Sequence, residues 1–215
     1  MNDNTKTFND ISKLLQKGKA KEIIIAVEKA LREGIAPTDI LEKGLISGMN
    51  VIGRKFKRGY IYVTEVLVSS RAMNYAISAL KPAFLKAGIS PVGKVIICTV
   101  KGDLHDIGKN LVKMMIEGKG VEVVDLGVDC SNEKIVETVK KSDAGILCLS
   151  ALLTTTMIGQ KEAIEALKTA GLRDKVKIMV GGAPVTQSYA NEIGADAYAR
   201  DAVSAAEVCL TLIKT

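Results

Sequence analysis

The chain has 215 residues, of which 47% are hydrophobic and 25% charged, the balance of an ordinary globular protein of one or two domains; disordered and collagen-like chains are excluded. It holds one histidine, no tryptophan, three phenylalanines and five tyrosines, so a metal site built from several histidines of one chain is excluded and any imidazole chemistry falls to His105. The net charge of +6 is uneven: residues 1–90 carry fifteen Lys/Arg against eight Asp/Glu (+7), and residues 91–215 carry fifteen against sixteen (−1).

The N-terminal stretch MNDNTKTFND has no apolar core of a signal peptide, and no run approaches the roughly 18 apolar residues a membrane span needs. A cytoplasmic protein is expected, without membrane attachment. Helices follow in order. Ile11, Leu14 and Leu15 form one apolar stripe; Ile23, Ile24, Val27 and Leu31 form a second. Leu41, Leu45, Met49, Ile52 and Phe56 extend a third over four turns, and Val63, Val66, Leu67, Ser70, Met73, Ile77, Leu80 and Phe84 mark a fourth, from about Val63 to Lys86. Stops fall at Gly18, Gly34 and Gly59, and Pro37 with Thr38 can open the third helix. Four such helices predict a small bundle. Gly44, Gly48 and Gly53 each cost the third helix roughly 1 kcal/mol against alanine, which close packing on another helix or on a cofactor would explain. The run Arg54, Lys55, Lys57 and Arg58 beside Phe56 reads either as a solvated helix end or as a docking patch; without interleaved aromatic platforms it does not read as a nucleic-acid surface.

After the linker Gly88-Ile-Ser-Pro-Val-Gly93, β-branched runs alternate with amphipathic helices. Strands are predicted over Lys94–Val100, Val121–Asp125, Ala144–Leu149, Lys175–Val180 and Asp196–Tyr198, giving five β-α units and a parallel sheet covered on both faces. Domains are thus expected at 1–90 and 91–215. The scattered cysteines, Cys98, Cys130, Cys148 and Cys209, read as buried thiols.

Ligands of such sheets bind beyond the carboxyl ends of the strands, where strand order reverses. The segments that follow the strands are Lys101-Gly-Asp-Leu-His-Asp-Ile-Gly108, Ser150-Ala-Leu-Leu-Thr-Thr-Thr156, Gly181-Gly-Ala-Pro184 and Ala199-Arg-Asp-Ala202. His105 has two readings, a hydrogen-bonded loop residue or a ligand whose Nδ1–H is fixed by a nearby carboxylate so that Nε2 stays free. One protein ligand cannot hold a bare ion, so a ligand role requires a cofactor that brings its own ring of nitrogens. The four hydroxyls between Ser150 and Thr156 read as turn and cap groups or as partners for a polar appendage, and Gly181-Gly182 as a tight turn or a close approach to a large ligand.

The combination Asp103-x-His105-x-x-Gly108, Ser150-x-Leu152 and Gly181-Gly182 resembles the signature of cobalamin-binding Rossmann-like domains. The stretch Gly48-Met-Asn-Val-Ile-Gly-Arg-Lys-Phe56-Lys-Arg-Gly59-Tyr-Ile-Tyr-Val63-Thr-Glu-Val66 is similar to the helical cap of methionine synthase and of free-standing corrinoid proteins of methyltransferase systems. The resemblance implies an α/β chain with a four-helix cap and a flavodoxin-like five-stranded parallel sheet. It implies a cobalamin or related corrinoid cycling between Co(I) and methyl-Co(III), with His105 as lower axial ligand to cobalt. Asp103 would be the histidine's partner, and Thr156 would stand where methionine synthase has a serine. Gly102, Leu104, Asp106 and Gly108 would line the loop; Ser150 and Thr154 would meet the nucleotide tail, with Leu152 a cofactor-binding residue of the same motif; Gly181 and Gly182 would allow close approach, and Ala202 would match a contact near the far end; Phe56, Val63 and Val66 would cover the corrin, and Glu42 would supply a cap carboxylate. Thr64 replaces a proline common at this place, leaving the helix start open. Phe56 by its own pattern reads equally as core.

The function implied is methyl carriage between a substrate:corrinoid methyltransferase of the methylamine, methanol or methoxy-compound type and an acceptor methyltransferase, with a reductive activase as a further partner and no nucleic acid. A B12-dependent sensor or regulator and an adenosylcobalamin mutase subunit are the alternatives; the first usually adds a signalling segment and the second normally lacks the cap. A phospho-receiver or flavodoxin would need an aspartate ending strand 3 or a flavin phosphate loop after strand 1, where this chain has Leu149-Ser150 and the histidine loop.

Overall fold

The computed structural model describes residues 4–88 and 91–214; Ile89 and Ser90, part of the expected linker, lie outside the described residues. The chain divides into two compact units, one running to Pro91 and including Glu117–Gly120, the other formed by Val92–Ile116 and the chain from Val121 onward.

In the first unit the apolar stripes become α1 (Thr5–Gln16), α2 (Ala20–Arg32), α3 (Pro37–Asp39), α4 (Ser47–Lys57) and α5 (Val63–Ala87). Ile11, Leu15, Ile23, Val27, Met73 and Leu80 are buried within it. The third predicted helix differs from a uniform α-helix, because Ile40–Ile46 between α3 and α4 is a π-helical segment. The wider turn explains which residues face inward: Ile40 and Leu45, five apart, are both fully buried, whereas the expected Leu41 is only half-buried. Gly44 in this segment and Gly48 in α4 answer to a helix crossing. A Cβ on Gly44 would lie 3.0 Å from Ile11 Cγ2, and one on Gly48 would lie 3.1 Å from both Leu15 Cδ2 and the Ser12 carbonyl oxygen. The start of α5 is fixed by Glu65, whose carboxylate accepts the Tyr62 N–H at 3.0 Å and the Thr64 hydroxyl at 2.9 Å, so the absence of proline at residue 64 leaves the helix start intact.

In the second unit β1 (Lys94–Thr99), β2 (Glu122–Asp125), β3 (Ile146–Ser150), β4 (Lys177–Gly181) and β5 (Ala197–Ala199) form one parallel sheet in the order β2-β1-β3-β4-β5. Crossovers are made by α6 (Ile107–Glu117), α7 (Asn132–Lys141), α8 (Ile158–Thr169) and α9 (Gln187–Glu192), and α10 (Ala202–Ile213) closes the unit. Central strands β1 and β3 are buried along most of their length, as their near-continuous apolar sequences require. All four cysteines are buried free thiols. Among the described residues no helix is long and apolar enough to cross a membrane.

The order places a topological reversal between β1 and β3, the position at which this class of sheet opens a ligand crevice. The side of β1 is anchored by an ion pair between a buried lysine and a partly exposed carboxylate that periodicity does not reveal. Lys109, 3% exposed in the first turn of α6, donates to both carboxylate oxygens of Asp125 at 2.8 and 2.7 Å, with Lys113 at 3.4 Å. Lys109→Met should lower the unfolding free energy by about 2–3 kcal/mol in denaturant titration, below the roughly 3–5 for a fully buried broken pair because Asp125 is partly exposed and Lys113 remains. Adding Asp125→Leu should recover much of that loss, since no uncompensated buried charge is left.

Candidate functional site

The loop from β1 to α6 begins with a turn at Gly102 (φ +80°) and delivers Asp103 into the sheet edge and His105 toward solvent. Asp103 is fully buried as a side chain, while half of the His105 side chain (51%) is exposed. A buried carboxylate persists only where donors replace its water, and four do so here. Asp103 Oδ1 accepts the His105 backbone N–H at 3.0 Å and pairs with the ring Nδ1 at 2.8 Å. Asp103 Oδ2 accepts the Leu152 N–H at 2.7 Å and the Thr156 hydroxyl at 2.6 Å. The loops after β1 and β3 are therefore joined across the reversal point through one carboxylate.

Burial alone would raise the pKa of Asp103, but the Thr156 hydroxyl, the Leu152 and His105 N–H groups and the imidazole together hold it well below the usual carboxylate range. Asp103 is thus ionised, the state that orients an imidazole with its proton on Nδ1 and its lone pair on Nε2. The depressed value also has a thermodynamic sign. Its stabilisation is present above the unfolded value near ~3.9 and is lost as pH falls toward the folded one. The unfolding free energy of the chain should accordingly fall on acidification below about pH 4, and Asp103→Asn should flatten that acid limb in pH-dependent denaturant titrations.

The structure brings together most residues singled out in this unit. Gly102, Leu104, Asp106 and Gly108 are exposed on the histidine loop and the first turn of α6. Ser150 ends β3, with Leu152 and Thr154 exposed just beyond it. Ala202 is buried at the first position of α10, which Asp201 caps by accepting the Ser204 N–H at 2.7 Å. Gly181 ends β4, where a Cβ would lie 3.1 Å from the Ala199 carbonyl oxygen, and Gly182 follows it at φ +136°, where a Cβ would collide with the Ala151 carbonyl oxygen. Gly182 lets the loop after β3 pass close to the end of β4, and Ala151 N–H donates to the Gly181 carbonyl at 3.2 Å.

In the first unit, Glu42 is exposed on the π-helical segment, and Phe56 and Val63 are half-buried. Val66 has no exposed surface and stands with Ser69, Met73, Ala76 and Leu80 on the buried stripe of α5.

The donor set fits a cofactor that carries its own equatorial ligands. Among the described residues no three His, Cys, Asp or Glu side chains converge to hold an ion, whereas the single imidazole offers one open nitrogen. Around it Leu104 (72% exposed), Ile107 (74%), Leu152 and Leu153 present apolar surface suited to a flat macrocycle. Sequence reasoning passed over Thr99, whose hydroxyl donates to the His105 carbonyl at 2.9 Å, and Gln160, fully buried, whose Nε2 donates to the Leu149 and Gly181 carbonyls at 2.9 and 3.0 Å. A polar residue ending or facing an apolar strand was the available signal in the first case; for Gln160 the sequence carried none.

Comparison with known proteins agrees with this geometry. Residues 93–207 and residues 7–81 each match a family model described as a B12 binding domain. The chain is 44% identical to a dimethylamine corrinoid protein of Methanosarcina barkeri over 186 residues, covering 86% of this chain and 87% of the relative. It is 40% identical to a monomethylamine corrinoid protein of Methanosarcina mazei over 216 residues, covering 98% and 99%. Its fold matches a chain in the crystal structure of a methanol:cobalamin methyltransferase complex from Methanosarcina barkeri with a TM-score of 0.86 at 29% identity, covering 100% of this chain and 81% of that one. With a reversal-point imidazole held by a buried carboxylate and B12-binding matches on both units, the chain belongs to the family of cobalamin-binding corrinoid proteins.

Proposed function

We propose that this chain carries a methyl group on a corrinoid between a substrate-specific methyltransferase, of the methylamine, methanol or methoxy-compound type, and an acceptor methyltransferase. The observation that carries the reading is the Nδ1–Asp103 pair, which leaves Nε2 of a half-exposed imidazole open at the reversal point. When bound, the corrinoid supplies a cobalt centre nucleophilic enough, once reduced, to accept a methyl group and pass it on.

The chain's own residues hold and tune that centre. His105 would hold the cobalt of the bound corrinoid through Nε2, Asp103 fixes its tautomer and raises its basicity, and Thr156 holds Asp103. Leu104, Ile107 and Leu152 exclude water beside the ring. Gly102, Asp106 and Gly108 shape the histidine loop, and Ser150, Thr154, Gly181, Gly182 and Ala202 line the path of the nucleotide tail. Glu42, Phe56 and Val63 are the cap residues we assign to shielding the transferable group, with residues 1–90 as cap and 91–215 as the corrinoid-binding domain. Choice of methyl donor belongs to the partner enzyme; an activase that re-reduces cobalt is a further partner, and the site of action is the cytoplasm.

The experiment is a reconstituted transfer assay with isotopically labelled methylamines, methanol or a methoxy compound, each with its methyltransferase, and an acceptor enzyme. Label should reach the acceptor only when the corrinoid-loaded chain is present. Tight corrinoid binding without transfer from any of these donors would overturn the carrier reading in favour of a sensor.

A further inference from the structure

Among the described residues Asp129, in the turn between β2 and α7, is the one non-glycine residue with a positive φ, at +48°. Glycine would adopt that conformation without strain, so a side chain kept there needs a reason. The carboxylate supplies one. Asp129 Oδ1 accepts the Gly102 N–H at 2.7 Å, and the Asp129 backbone N–H donates to the Asp103 carbonyl at 3.0 Å. One residue thus grips the chain on both sides of the Gly102–Asp103 peptide, immediately before the carboxylate that orients the imidazole. Neighbouring bonds run the same way: Thr99 N–H donates to the Gly127 carbonyl at 3.0 Å, Cys130 N–H donates to the Thr99 carbonyl at 3.1 Å, and the Thr99 hydroxyl holds the His105 carbonyl. The turn after β2 is laced to the histidine loop along its length.

We propose that Asp129 is a positioning residue for His105, clamping the Gly102–Asp103 peptide so that Asp103 meets Nδ1 and Nε2 is presented in a fixed direction. Asp103 reaches His105 from two residues away, and a small rotation of the Gly102–Asp103 peptide swings its carboxylate off the ring. Gly102, itself at φ +80°, has little steric resistance to such rotation, and a Cβ there would meet nothing within 4 Å. The clamp supplies the missing restraint. The consequence for cobalt ligation rests on the reading of His105 as lower ligand.

The test compares Asp129→Gly, which keeps the backbone conformation and removes only the acceptor, with Asp129→Asn, which keeps an acceptor oxygen and tolerates positive φ. Because the chain has one histidine, its ring nitrogens give unambiguous NMR signals in the full chain without corrinoid. Asp129→Gly should broaden or shift the Nδ1–H signal and lower the histidine-ligated fraction of corrinoid-loaded protein several-fold in its absorption spectrum. Asp129→Asn should restore both, and thermal melts of all three proteins should lie within a few degrees. A parental Nδ1–H signal in Asp129→Gly, or an equal loss in Asp129→Asn, would overturn the clamp. His105→Ala, run alongside, separates the two claims: a loaded spectrum indifferent to it defeats the ligand reading, while the corrinoid-free NMR comparison still decides the role of Asp129.

Discussion

Gly182→Ala should cost the sheet-containing unit about 2–6 kcal/mol, the sum of a backbone conformation that side chains rarely adopt and an overpacked contact. The residue sits at φ +136°, and its added Cβ would fall 1.8 Å from the Ala151 carbonyl oxygen, 2.8 Å from the Ala151 carbonyl carbon and 3.2 Å from the Ala151 nitrogen. None of these is the end of a flexible side chain, so relief requires the whole strand-to-helix loop to move. That loop carries Leu152, whose N–H is bonded to Asp103, and Thr156, whose hydroxyl is bonded to the same carboxylate. The damage therefore reaches the imidazole as well as the fold. For a unit of this size each kcal/mol lowers the melting temperature by roughly 3–5 °C, so a large drop is expected in calorimetry, with loss of corrinoid binding. A melting temperature within a degree or two of the parent would mean that the loop yields easily and that Gly182 is not a fixed point of the site.

Asp103→Asn should be more damaging to ligation than its near-identical shape suggests. The carboxylate is surrounded by donors alone: two N–H groups, one hydroxyl and the Nδ1–H of His105. An amide brings an NH₂ that must face one pair of them. Turned toward Thr156, it can donate to that hydroxyl, which then bonds to the Leu153 carbonyl 3.0 Å away, but the Leu152 N–H loses its acceptor. Turned toward His105, it opposes the backbone N–H and favours the tautomer in which Nδ1 accepts and Nε2 carries the proton. A protonated Nε2 cannot coordinate. Either arrangement leaves a buried donor unpaired at a cost of about 1–3 kcal/mol, and the second removes the ligand outright. Corrinoid-loaded Asp103→Asn should therefore show a histidine-ligated fraction several-fold below the parent, with a ring-nitrogen NMR pattern shifted toward the Nε2–H tautomer. Thr156→Ala, which removes one of the four donors and leaves the tautomer unchanged, should have a distinctly smaller effect on ligation.

Much of this architecture was legible before any coordinates, for reasons that differ by residue. The change from stripes three and four apart to short β-branched runs reports burial directly, so the helical first part and the five parallel strands could be read from residue spacing. Asp103 and His105 were legible because carboxylate and imidazole lie two apart on one loop. Lys109 and Asp125 were not, because their pairing depends on how α6 lies against β2. The π-helical segment escaped because a five-residue interval between Ile40 and Leu45 looks like irregularity in an α-helical stripe. Gly181-Gly182 read as a tight turn or as a close approach to a large ligand, whereas the Ala151 carbonyl that makes glycine necessary at residue 182 comes from a neighbouring loop. The burial of Val66 was legible too, because the periodicity of its helix places it on the core stripe.

The central claim is that one imidazole nitrogen of this chain binds the corrinoid's cobalt from below. The single histidine permits a direct measurement, electron paramagnetic resonance of the loaded protein in the cobalt(II) state, with histidine alone labelled with ¹⁵N. The account predicts a nitrogen splitting of the cobalt signal that changes when the label is introduced, a change that is lost in His105→Ala. A splitting unchanged by the label, as the cofactor's own base would give, would contradict it.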